Sequence, residues 1–115
     1  MSHQQRSIAT LPRLDAGALI VMSTLLVPPE GAPALESAFR DRLGAVDGWE
    51  GHHGLQVWQD AHRAGRYAMT SWWSDDRVFA RYMQSPAHAA SHARVPHGEH
   101  APALESVHRY RLLST

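Results

Sequence analysis

The sequence predicts an α+β fold in two layers, a four-stranded sheet with helices against one face, and three observations lead to it. An apolar run from Ala18 to Val27 reads as a strand. Two alternating segments, Leu55 to Gln59 and Arg66 to Trp73, flank a short polar link and read as a hairpin. Helical stripes lie before and after that hairpin, and the later one is broken in two by Ser85-Pro86.

The first run, ALIVMSTLLV, is too short to cross a membrane and too rich in β-branched residues for a helix. It does not alternate, so it should be buried on both faces. Helices of the same domain would cover one face, and the sheet of a second copy the other. Ser23 and Thr24 interrupt the run; they either bond to neighbouring backbone or turn one hydroxyl toward a ligand cavity. Pro28 to Ala32 is a turn, and Pro33 opens a helix at the favoured first position. Leu35, Ala38, Phe39, Leu43 and Val46 form its buried stripe. Glu36, Arg40, Asp41 and Arg42 decorate a solvated side, and Gly44 would cap or distort the end. Asp47 to Gly54 is a glycine-punctuated approach to the hairpin. Its adjacent His52 and His53 would point to opposite faces of a strand, so they do not easily grip one metal.

In Arg66 to Trp73, Tyr67, Met69, Ser71 and Trp73 share one face, and Ala68, Thr70 and Trp72 the other. Ser74 reads as the next N-cap, followed by Asp75 and Asp76 where the helix dipole favours negative charge. Val78, Phe79, Tyr82 and Met83 make one helical face. Ser85 caps and Pro86 starts a second short helix, on which His88 and His92 stand one turn apart. Ala93 to Pro102, with His97 and His100, is loop; Glu105 to Leu113 alternates weakly and suits a last strand at an edge. The order is strand, helix, strand, strand, broken helix, strand, the split βαβ of a ferredoxin-like sandwich. One sheet face is left bare, which predicts a homodimer joined through sheet faces.

The chain has 115 residues, enough for one domain. Residues 1–16 read as a flexible arm and 17–115 as the domain. There is no cysteine, which removes thiolate nucleophiles, disulfides and Cys-ligated metal, and fits the cytoplasm. Eleven basic residues, all Arg, balance eleven acids without forming a basic run, so nucleic acid is not an expected partner. No apolar stretch reaches membrane-spanning length, and the first residues have no secretory apolar region. Nine histidines are either incidental surface residues or point to proton transfer, metal or haem.

The segments GWEGHHGLQVWQD and RYAMTSWWSDDRVFARYMQSPAHAASHARV resemble the antibiotic biosynthesis monooxygenase (ABM) superfamily. Its pattern is a strand ending in Trp, a Ser-Asp/Glu pair, a Phe, then Ser-Pro-x-His-x-x-x-His. Here these are Trp73, Ser74, Asp75, Phe79, Ser85, Pro86, His88 and His92. The resemblance spans roughly Ala18 to Leu113 and implies a dimeric α/β barrel with a pocket in each subunit. It implies either oxidation of a polycyclic aromatic substrate by O₂ without cofactor, or haem binding and ring cleavage. For the haem branch the axial ligand would be His92; Tyr82 stands where that branch has Trp, and Ser23 near where it has Asn.

These readings single out His92, His88 and Tyr82 as candidate catalytic residues. Ser23, Trp73, Phe79 and Met83 are the candidate substrate-binding residues. Each has an ordinary alternative: a helix-end imidazole for His92, core packing for Tyr82 and Trp73. A His-x-x-x-His pair can chelate zinc, but neither a third ligand nor a Glu base between them is evident. Three functions follow: a cofactor-free oxygenase of an aromatic or quinol-like molecule, a haem protein using His92, and a non-catalytic small-molecule-binding dimer.

Overall fold

The computed structural model describes residues 14–41 and 45–115. β1 is Leu19–Leu26, α1 Ala32–Arg40, β2 His52–Gln59 and β3 Arg66–Trp73. α2 (Asp76–Met83), α3 (Pro86–His92) and β4 (Ala103–Arg111) complete the chain. The strands form one antiparallel sheet in the order β2-β3-β1-β4, so β3 lies between the strands that α1 connects. This is the ferredoxin-like α+β sandwich, with β4 at one edge and β2 at the other.

Strand parity positions everything else. Val21 pairs with Ser71 on one side and Arg109 on the other, and Ser23 with Met69 and Val107, so odd-numbered residues of β1, β3 and the end of β4 share a face. Onto that face α2 presses Val78, Phe79 and Tyr82 against Leu19, Val21, Trp73 and Val46. α1 inserts the fully buried Leu35 against Val27 and Tyr67. Completely burying a leucine in this way contributes about 2 kcal/mol.

The expected double burial of β1 is met on one face only within a single copy. Leu19 and Val21 are buried, whereas Ile20, Thr24 and Leu26 on the outer face are half-buried and Met22 is exposed. The helices occupy only one side, and among the described residues nothing covers the other.

Several boundaries differ from the sequence reading. α1 begins at Ala32, with Pro33 in its first turn, and stops at Arg40 with Asp41 as its C-cap. Val46 therefore reaches the core from a separate 3-10 turn, Ala45–Gly48, and not from the helix. The expected roles of Arg42, Leu43 and Gly44, and most of the arm at 1–16, fall outside the described residues. Glu36 is not merely solvated, because it accepts a hydrogen bond from the Tyr67 hydroxyl. β2 starts at His52, three residues earlier than the alternation suggests, with a bulge between His52 and Gly54.

The cap of α2 is Asp75 and not Ser74. Asp75 is extended, and its Oδ1 accepts from the Val78 amide at 2.9 Å. Ser74 still continues the sheet through its amide to the Gly51 carbonyl, and its hydroxyl is engaged by His53 Nε2 at 2.7 Å. Ser85 caps α3 as expected, accepting from the His88 amide.

Candidate functional site

A cavity of about 490 Å³ lies between the inner sheet face and the helices. Its floor is built by parity: Val21, Ser23 and Leu25 from β1, then Met69, Ser71 and Trp73 from β3. Leu55 and Val57 extend it onto β2, and Leu104 and Val107 onto β4. The roof comes from α1 through Phe39, from α2 through Phe79, Tyr82 and Met83, and from α3 through His88 and His92. None of the described lining residues is Asp or Glu. A volume of this size, mostly apolar with a few polar groups on floor and roof, is that of a small-molecule pocket.

The structure thus brings all seven sequence-predicted residues to one cavity. His88, His92 and Tyr82 meet at the α2–α3 corner, while Ser23 lies on the floor and Met83 at the exposed rim. Trp73 is both wall and core: it is 2% exposed, and its indole N–H donates to the Ser71 hydroxyl at 2.8 Å. Its ring lies 5.2 Å from those of Phe79 and Tyr82. Tyr82 is also edge-on to Trp49 at 5.4 Å and to His88 at 5.4 Å. Such tilted aromatic pairs lock ring orientation and add about 0.5–1.5 kcal/mol each.

The two imidazoles differ. His92 ends α3 and is exposed, whereas His88 is half-buried, its ring 5.9 Å from that of His92. Burial pushes the His88 imidazole below its usual range, and the neighbouring His92 adds to this; a bond to the Met83 backbone partly opposes it. Its surroundings thus favour the neutral imidazole. Among the described residues, no three His, Asp or Glu side chains come together as a metal site. His52 and His53 diverge as their adjacency requires: His52 packs edge-on against Trp73 at 4.8 Å, and His53 reaches Ser74.

Sequence reasoning missed three contributors. Ser71 orients Trp73 and could have been found from parity with Trp73. Arg94 lines the cavity and donates from Nη2 to the Asp41 carbonyl at 2.8 Å, tying the segment after α3 to the end of α1. Phe39 belongs to the apolar stripe of its helix, which by itself predicts only core packing. No local pattern marks Arg94 or Phe39, because their neighbours are distant in sequence.

A ferredoxin-like sandwich with an apolar cavity edged by two histidines is the class defined by this fold and site. Residues 18–94 match the family model for antibiotic biosynthesis monooxygenase, and the chain belongs to that family. Among solved structures it is similar to the haem degrader MhuD from Mycobacterium tuberculosis, solved with two haems bound in its active site. The identity is 26%, the TM-score 0.67, and the match covers 84% of this chain and 97% of that one. It also shares its fold with SnoaB, a cofactor-independent oxygenase from Streptomyces nogalater. There the identity is 15%, the TM-score 0.66, and coverage 87% and 97%. A conserved protein from Methanosarcina mazei Go1 matches at 16% identity and TM-score 0.69, over 92% of this chain and 98% of that one. No curated protein matches. No helix among the described residues is long and apolar enough to cross a membrane.

Proposed function

We propose that this protein is an ABM-type monooxygenase that oxidises an aromatic or quinol-like small molecule with O₂ and without a cofactor. The observation that carries the reading is the cavity: apolar walls, no carboxylate among its described lining residues, and at one corner a half-buried imidazole whose burial favours its neutral form. His88, or His92 beside it, takes the proton of an acidic phenol or methylene. Tyr82 and Ser23 stabilise the resulting oxyanion, while Trp73, Phe79 and Met83 hold the ring plane and exclude water. The electron-rich anion passes one electron to O₂, and the radical pair combines to a hydroperoxide. Loss of water then leaves a carbonyl: the carbon surrenders two hydrogens and gains one oxygen, and the second oxygen departs in the water. In this reading the protein is a cytoplasmic homodimer, joined through the uncovered sheet faces.

A second reading is supported by the similarity to MhuD and by the exposed imidazole of His92 at the cavity edge. His92 would be the axial ligand of a haem, with Phe79, Tyr82 and Trp73 against the macrocycle. Bound haem would supply activation of O₂. The donor set fits a single axial histidine. A third possibility is a binding dimer without turnover.

Titration with haemin separates them. For the oxygenase reading, no stoichiometric Soret shift is expected, O₂ uptake is seen with an anthrone or quinol, and His88→Ala loses at least about tenfold in rate. A stoichiometric Soret shift abolished in His92→Ala would replace the first reading with the second. Absence of both responses leaves the binding dimer.

A further inference from the structure

Phe39 lies between two cavities. It lines the main one and also a second of about 290 Å³. Among the described residues it is the one side chain of α1 common to both, and Leu55 and Val57 of β2 give them a shared floor. The remaining walls of the smaller chamber are Glu36, Arg40, Gln59 and Tyr67. The main cavity is apolar here, whereas the smaller one is mixed, with Glu36, Arg40 and Gln59 set against Phe39, Leu55, Val57 and Tyr67.

The polar end is internally neutralised. Arg40 pairs with Glu36 at 3.3 Å, and the Tyr67 hydroxyl donates to the same carboxylate. One cation facing one carboxylate leaves no net charge to attract an ion, so a neutral hydrogen-bonding group suits this end best. The partition is held in place: the Phe39 ring lies 6.1 Å from the Tyr67 ring, tilted at 56°. Tyr67 is in turn anchored on Glu36, which precedes Phe39 by one turn of α1 and shares its face.

We propose that Phe39 is a specificity-determining residue. It sets the length of aromatic ligand the main cavity accepts, and its removal joins the chambers into a site for an elongated aromatic with an uncharged polar tail, such as a hydroxyl or amide. This rests on the main cavity being the ligand site, as proposed above, and not on its oxygen chemistry.

The test is a fluorescence titration with 2-naphthol and with 6-(4-hydroxyphenyl)-2-naphthol, which adds a rigid hydroxyl-ended arm to the same ring system. The wild type should favour 2-naphthol by roughly tenfold, since the rigid arm must pass the Phe39 ring, which stands between the main cavity and the smaller one. Phe39→Ala should raise affinity for the arm-bearing ligand by roughly tenfold relative to 2-naphthol, and Phe39→Leu by less. Phe39→Leu also serves if the alanine variant proves unfolded by thermal melting. Equal wild-type affinity for the two ligands, equal shifts of both in the variants, or failure of either to bind in any form overturns the proposal. Normal binding without O₂ uptake would sink the oxygenase reading and leave the role of Phe39 standing.

Discussion

Single residues decide how tightly the hairpin approach meets α2. Gly51 has φ +87°, a left-handed conformation, and a Cβ there would come within 2.7 and 2.8 Å of the Val78 methyls. Gly51→Ala should therefore cost roughly 2–4 kcal/mol, combining backbone strain with overpacking. In a denaturation series, Gly51→Ala/Val78→Ala should lose less than the two single costs added together, because the clash is gone while the backbone term remains. His88 gives the second residue-scale prediction. Its folded pKa lies below the ordinary 6.5, so just below pH 6.5 the unfolded chain binds more protons than the folded one. Stability should fall as pH drops through that window and recover as pH rises. His88→Gln should flatten the slope of unfolding free energy against pH; an unchanged slope would show that His88 keeps an ordinary pKa.

At the scale of elements, the break between β3 and α2 shows what a local pattern can and cannot say. SWWSDD announces a strand ending and a helix starting, and two residues in it are good caps. Which one acts depends on where the strand lets go. Ser74 is retained by Gly51 and His53, so the first residue free to cap is Asp75. Asp75→Ala should lower stability by about 1 kcal/mol and Ser74→Ala by clearly less, measured by urea midpoint. Reversal of that order would return the cap to Ser74. β1 was legible as an unbroken apolar run and the hairpin strands by parity, and so was the shared face of Met69, Ser71 and Trp73. The end of α1 was not, because its apolar stripe continues in phase to Val46 although the backbone turns after Arg40.

At the scale of the whole molecule, the uncovered sheet face dominates. Trp58 and Tyr110 are each 53% exposed and Met22 39%, on the side away from the helices. Arg66 bridges Glu105 at 2.8 Å and Asp60 at 3.0 Å, while Thr24 also donates to Glu105, tying β3, β1 and β4 together at one end of that face. An apolar centre with a polar margin is the anatomy of an interface. The proposed sheet-to-sheet dimer predicts a dimeric mass by sedimentation at micromolar concentration, and a monomer for Trp58→Glu. A monomeric wild type would refute it.

The sequence by itself determined the order of elements, the ferredoxin-like topology and the parity that sets Met69, Ser71 and Trp73 on one face of their strand, since periodicity and cap chemistry are local. The His88–His92 spacing and the Tyr82 stripe were set in the same way, by the pitch of a helix. Tertiary structure alone decided that Asp75 and not Ser74 caps α2, that His52 packs on Trp73, and that Arg94 bridges to Asp41. It also decided that Phe39 serves two cavities. Each of these depends on groups far apart in the chain, whose approach is fixed by packing of the whole sandwich and not by the residues on either side.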